Sequence, residues 1–184
     1  MNCRSALEKE VQEGLIRMNP AVGCKLPPKK AREMQVLTRE EIQRFLIQAK
    51  AEGYFELFLL ELTTGLRRGE ILALQWDDLN LETGELQVTK QVYRTKEDGL
   101  LISQPKTKSS IRTVSLPPTL LNILKEYKES VNSRWMFPAP VKEDSPLDPA
   151  YIRTRLHLIL EHAQCKQIRF HDLRHTAATN MHQL

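Results

Sequence analysis

A mostly helical α+β fold with a small three-stranded antiparallel sheet is what these 184 residues predict, on three observations. Apolar residues recur at helical spacing on both sides of the middle of the chain. Between residues 84 and 116 the period drops to two, and Gly and Pro stand where the period changes. Helices, then strands, then helices again is the order of an α+β domain rather than of alternating βα units.

Residues 4–16 place Ala6, Leu7, Val11 and Leu15 among Glu and Lys at helical spacing, in a segment too short to fold alone. Pro27 and Pro28, among Lys25, Lys29 and Lys30, favour an extended basic connector. Residues 1–26 are therefore expected to be the last helix of another domain, 27–36 a linker, and 37–184 a second domain. Thr38 and Glu41 have capping-box spacing, with Leu37 and Ile42 placed as a hydrophobic staple. Ile42, Phe45, Leu46 and Ala49 then mark one buried helix face. Residues 54–63 form a second helix, apolar enough through Phe55, Leu57, Phe58, Leu59, Leu60 and Leu62 to lie in the core, and Gly65 suits its end. A third helix is expected over 67–74. Leu86, Val88 and residues 90–93 read as one strand, Glu97-Asp98-Gly99 as a turn, and 100–103 as the partner strand. Residues 111–116 supply the third strand, preceded by Pro105-Lys106-Thr107-Lys108-Ser109-Ser110. Helices resume after Pro117-Pro118, over 149–163, and from 171 onward.

Composition narrows the function classes. Hydrophobic residues at 41% and charged residues at 27% are close to the globular average, which excludes a disordered or fibrous chain. No apolar run is long enough to cross a bilayer, and Met1-Asn2-Cys3-Arg4-Ser5 does not open a signal peptide, so a cytoplasmic protein without membrane partners is expected. Cys3, Cys24 and Cys165 make an odd count without CxxC spacing, which suggests neither a disulfide framework nor a cysteine zinc site. The net charge of +4 is unevenly spread. Residues 36–85 carry five basic and ten acidic side chains, whereas 86–116 carry six basic and two acidic. Residues 151–184 hold five basic and two acidic side chains and all five histidines. Two basic stretches after an acidic one suit a polyanion docked on one face, although solvated faces give the same pattern.

Three segments put charged side chains where a core-building sequence would not. In Thr64-Gly65-Leu66-Arg67-Arg68-Gly69-Glu70, an arginine opens a helix directly after a glycine break. Arg67 and Glu70, three apart, share a face. A carboxylate that holds a guanidinium leaves other N–H donors for a phosphate, while a plain surface ion pair has the same spacing. In His171-Asp172-Leu173-Arg174-His175-Thr176, His171 and Arg174 share a helix face. His171 and His175 have metal-ligand spacing, but Asp172 stands where zinc hydrolases carry a Glu, and no third ligand is obvious. The competing reading is a His/Arg pair on a phosphate, one moving a proton and the other stabilising charge. Lys106 and Lys108 lie at the mouth of a hairpin, where a lysine reaches a phosphate or protonates a leaving oxygen. Together these groups suffice for phosphoryl transfer without a metal.

In order and in wording, the segments 64–74, 107–116 and 170–176 resemble the first arginine motif, the β-hairpin lysine motif and the His-x-x-Arg motif of the tyrosine recombinases, the phage-type integrases. The resemblance runs from about residue 36 to the end, and 6–26 is similar to the last helix and linker of the family's core-binding domain. It implies a helical catalytic domain of that type and a reaction that breaks and rejoins DNA through a 3′-phosphotyrosyl intermediate. By position, Arg67 is implied as the first catalytic arginine with Glu70 orienting it, and Arg68 faces elsewhere and is not implied. Lys108 is implied as the proton donor to the 5′-hydroxyl leaving group, with Lys106 the fallback. His171 is implied in acid/base transfer, Arg174 as the second phosphate clamp, and His175 in packing. Lys106 and Arg112, on the basic hairpin, are expected DNA contacts.

The resemblance further implies duplex DNA as partner, a tetramer of the whole protein on it, and no metal or other cofactor. It also implies a tyrosine nucleophile after the His-x-x-Arg helix. Tyr54, Tyr93, Tyr127 and Tyr151 all precede Arg174, so none of them matches that nucleophile. A recombinase fragment, inactive alone and with an incomplete C-terminal side, is expected. The alternatives are a noncatalytic DNA-binding module of the same fold and, on weaker grounds, a His-based metal hydrolase.

Overall fold

The computed structural model describes residues 3–24, 35–95, 97–104, 111–141 and 144–181. The chain divides into two compact units, Met1–Glu33 and Met34–Leu184. In the first, helix α1 (Cys3–Gln12) is shorter than the periodicity predicts, because Gly14 adopts a left-handed φ of 74° and turns the chain out of the helix. The buried Asn19 ties the returning chain to α1. Its Nδ2 donates to the Arg4 carbonyl at 3.0 Å and to Glu8 at 2.7 Å, and its Oδ1 accepts from the Ala21 N–H at 3.0 Å.

The second unit contains α2 (Arg39–Ala51), α3 (Phe55–Thr64), α4 (Arg68–Ile71), β1 (Glu85–Val88), β2 (Gln91–Thr95), β3 (Gly99–Ser103), β4 (Arg112–Ser115), α5 (Pro118–Ser130), α6 (Pro149–His162) and α7 (Phe170–Met181). The fold class is the predicted one, mostly helical with a minor antiparallel β component. The capping box forms: Thr38 Oγ1 accepts from the Glu41 N–H at 3.2 Å, and Glu41 Oε2 accepts from the Thr38 N–H at 2.8 Å. Thr38→Ala should therefore lower stability by about 1 kcal/mol in urea unfolding. A capped α2 delivers Phe45 to the core. Phe45 meets Phe58 of α3 edge-on at 5.0 Å between ring centres, and Phe58 meets Phe170 of α7 at 6.2 Å.

Two elements differ from the expectation. The helix foreseen over 67–74 is one turn, α4, followed by a 3-10 turn at Trp76–Asp78. The chain leaves the helix because its backbone is claimed elsewhere: Met136 N–H donates to the Leu74 carbonyl at 3.0 Å and Trp76 N–H to the Arg134 carbonyl at 3.0 Å. The three expected strands are four among the described residues, in two antiparallel ladders. The first expected strand breaks at Thr89-Lys90, where Lys90 Nζ turns onto Gln75 at 2.8 Å and Asp78 at 3.0 Å. Before the break β1 pairs with β4, with Val88 opposite Arg112; after it β2 pairs with β3, with Gln91 opposite Ser103. No helix among the described residues is long and apolar enough to cross a membrane.

Candidate active site

The site is built where α3 ends. Gly65 closes α3 in the left-handed region, φ 59°, and its N–H donates to the Glu61 carbonyl at 2.8 Å. A side chain there would touch α7, since a Cβ would lie 3.4 Å from Arg174 Cγ and 3.7 Å from Ala177 Cβ. The glycine break thus lets α7 pack closely against the end of α3. From the other side Thr176 secures α7, its Oγ1 accepting from the Leu37 N–H at 3.2 Å and donating to the Asp172 carbonyl at 3.0 Å.

Helices α4 and α7 begin alike. Glu70, 2% exposed, accepts the Arg67 N–H at 2.9 Å and Arg67 Nη1 at 2.9 Å. Asp172, 4% exposed, accepts the Arg169 N–H at 3.0 Å, Nε at 2.9 Å and Nη2 at 2.8 Å. In each case a buried acid satisfies the first amide of the turn and anchors a guanidinium whose outer N–H groups stay in water. The Arg169 bonds hold the Asp172 carboxyl below the usual carboxylate range, against its own burial.

Glu70 carries a second guanidinium. Arg112, the first residue of β4, donates Nη1 to Oε1 at 3.2 Å and Nη2 to Oε2 at 2.8 Å. Arg112, expected from the sequence as a DNA contact, is forked onto Glu70, and so ties the start of β4 to the arginine motif. Burial pushes the Glu70 carboxyl up, but the bonds from Arg112 and Arg67 outweigh it and lower it to about 2.

Arg67, His171 and Arg174, distant in sequence, line one cavity of about 440 Å³. Arg68 lines it too, which corrects the expectation that this residue faces elsewhere: in a single-turn helix that opens on the cavity, adjacent positions reach the same space. Arg153 and His157 of α6 and Arg169 complete a strongly cationic wall. Burial, and then the charge of Arg153, hold the Arg68 guanidinium below its ordinary range, so the wall carries repulsion that a bound anion would relieve. Nη1 of Arg174 is buried without a hydrogen-bond partner.

Lys106 and Lys108 lie outside the described residues; the described strand that follows them begins with Arg112 on Glu70. His175 packs edge-on against His171, ring centres 4.8 Å apart. Among the described residues no group of three or more His, Cys, Asp or Glu side chains could hold a metal ion. None of the four tyrosines lines the cavity: Tyr54 and Tyr151 share a hydrogen bond of 2.8 Å, Tyr127 stacks on Phe137, and Tyr93 is exposed on β2.

Sequence reasoning missed Arg153, Arg169 and Glu61. The first two look like ordinary surface arginines in the sequence. Glu61 left a signal, an acid interrupting the apolar run of α3, and it lies fully buried at the cavity.

Comparison with known proteins shows the family and the fold. The model of the phage integrase family matches residues 35–183. Over 93% of its length the chain is similar, at 34% identity, to a tyrosine recombinase XerC-like protein of Caldanaerobacter subterraneus subsp. tengcongensis, covering 51% of that protein. The chain spans about half the length of the curated relatives it matches. In fold it is similar to the Tn1549 transposon integrase in complex with transposon right end DNA, with a TM-score of 0.82, 20% identity, and coverage of 98% of this chain and 64% of that one. It also resembles a lambda integrase tetramer bound to a Holliday junction, with a TM-score of 0.67, 18% identity, and coverage of 96% and 50%.

Proposed function

This chain belongs to the phage integrase family, and on that premise we propose that its cationic cavity is the phosphate pocket of a site-specific DNA recombinase. The observation that carries this reading is the convergence of five guanidinium groups, from Arg67, Arg68, Arg153, Arg169 and Arg174, around one cavity with two imidazoles. Such forks match the non-bridging oxygens of a phosphodiester and stabilise the charge that develops there during transfer. Arg67 and Arg174 clamp the phosphate, and Glu70 with Arg112 positions Arg67. His171 moves the proton of the attacking hydroxyl. Lys108, or Lys106, protonates the 5′-hydroxyl as it leaves. The attacking group is a tyrosine that forms a 3′-phosphotyrosyl link, and the four tyrosines present lie away from the cavity. These 184 residues by themselves accordingly bind DNA without cleaving it, and a suicide substrate should form no covalent adduct with them.

We propose the same division of the chain as the sequence suggests: 1–26 as the end of a core-binding domain, 27–36 as a linker, and 37–184 as the catalytic domain. The compact-unit boundary after Glu33 and the family match from residue 35 support it. The partner is duplex DNA and the whole protein acts as a tetramer, as the lambda integrase assembly on a Holliday junction suggests. Action on DNA and the lack of a membrane-crossing helix among the described residues support a cytoplasmic location.

The test is duplex retention at low salt. Combining Arg67→Ala with Arg174→Ala should lower affinity about a hundredfold and reduce the salt slope by about two, since each contributes one charge-assisted phosphate contact. Undiminished binding by the double variant would sink the reading.

A further inference from the structure

Glu61 stands out from the rest of α3. The helix turns Leu57, Phe58 and Leu60 into the core, and Glu61 is as buried as they are, at 0% exposure. Neither carboxyl oxygen has a hydrogen-bond partner. A Leu would fill such a place at far lower cost, so an acid kept there against the stability of the fold points to the cavity that it lines. Nη1 of Arg174, which lines the same cavity, is also buried and unpartnered. Arg67 and Arg169 are each held by a buried carboxyl, and Glu61 is a buried carboxyl that lines the cavity together with Arg174.

Burial favours the protonated form, against the cations that line the cavity. Burial pushes the Glu61 carboxyl well above the usual carboxylate range; Arg174 pulls it down and Glu70 pushes it up. Arg67 and Arg68 from α4, Arg153 and His157 from α6, and Arg169 and His171 at the start of α7 line the same cavity. An arriving phosphate adds negative charge and favours the neutral carboxyl further. A neutral carboxyl differs from Glu70 in one respect: it offers an O–H to donate as well as a carbonyl oxygen to accept.

We propose that Glu61 is the positioning residue of Arg174, a neutral carboxyl whose carbonyl oxygen accepts Arg174 Nη1 and whose O–H turns to a non-bridging oxygen of the bound phosphodiester. This rests on the reading of the cavity as a phosphate pocket. No bond is made or broken at Glu61. It holds the second guanidinium at the phosphate and leaves the outer N–H groups of Arg174 free for the anion.

The experiment uses the 184-residue chain, a fluorescein-labelled DNA duplex as the probe, and infrared difference spectra between the unmodified chain and Glu61→Gln. At neutral pH the difference should contain the C=O band of a protonated carboxyl, and that band should shift when duplex is added. Glu61→Gln, which keeps one acceptor and one donor, should bind duplex within about twofold of the unmodified chain. Glu61→Leu, which keeps the bulk and neither function, should lose about tenfold. A missing band, a band that duplex leaves unmoved, or a Leu variant that binds as tightly as the Gln variant overturns the proposal. Should the Leu variant fail to fold, the band and its response to duplex decide. Duplex binding that ignores the Arg67→Ala, Arg174→Ala double change would instead overturn the phosphate-pocket reading, whatever Glu61 does.

Discussion

Gly69→Ala should destabilise the catalytic unit by about 2–3 kcal/mol in urea unfolding, even though Ala is the better helix residue by about 1 kcal/mol. Gly69 lies in α4, where β2 crosses it. A Cβ at this position would come 2.6 Å from the Val92 carbonyl oxygen and 3.7 Å from Gln91 Cβ. A backbone carbonyl cannot swing aside as a side chain does, so α4 and β2 must part. Val92 is buried at 3% exposure and sits in the β2–β3 ladder, so moving it opens the core beneath the hairpin. Duplex affinity should fall with stability, because Arg67 immediately precedes α4. An Ala variant that melts with the unmodified chain would show that the close approach of α4 and β2 is absent in solution.

Glu70→Gln should cost about 2–3 kcal/mol at neutral pH and weaken duplex binding in the same variant. The substitution keeps the shape but turns an NH2 toward two guanidinium groups and removes the charge they share. Arg67 and Arg112 reach water more freely than Glu70 does, with side chains 57% and 32% exposed against 2%, so they recover some solvation and the loss stays below that of a fully enclosed pair. The pH dependence has a definite sign. The folded-state pKa of Glu70 is depressed to about 2, so its stabilisation is complete above the unfolded carboxyl value of about 4.3 and is lost as pH falls toward 2. Gln does not titrate. The stability gap between the two chains should therefore close over that acid window, and a gap constant from neutral pH to pH 2 would assign the effect to packing instead of to the ion pairs.

Features governed by short sequence separation were legible from residue patterns. The Thr38/Glu41 cap, the Gly65 stop, the Arg67/Glu70 pair and the helix beginning near His171 each depend on groups within a few residues of one another. The two misjudged elements depend on distant chain. The helix expected over 67–74 is cut short because residues 134–136 take the backbone groups of residues 74 and 76. The first expected strand divides because Lys90 finds Gln75 and Asp78. Nothing within either segment announces these partners.

The candidate site divides in the same way. Arg67, His171 and Arg174 were named from motif wording, and the structure brings them to one cavity. The forking of Arg112 onto Glu70 spans 42 residues and depends on the β1–β4 register. Arg68, Arg153 and Arg169 join the wall through the packing of α4, α6 and α7.

By itself the sequence determined the family, the mostly helical α+β class and the candidate residues Arg67, His171 and Arg174, because these are properties of local pattern and residue chemistry. Tertiary packing alone decided which arginines converge, that Glu70 anchors Arg112 as well as Arg67, and that Glu61 is buried without a hydrogen-bond partner at the same cavity as Arg174. Burial and charge proximity are set by chain segments far apart in sequence, and the pKa of a carboxyl follows from them rather than from its neighbours along the chain.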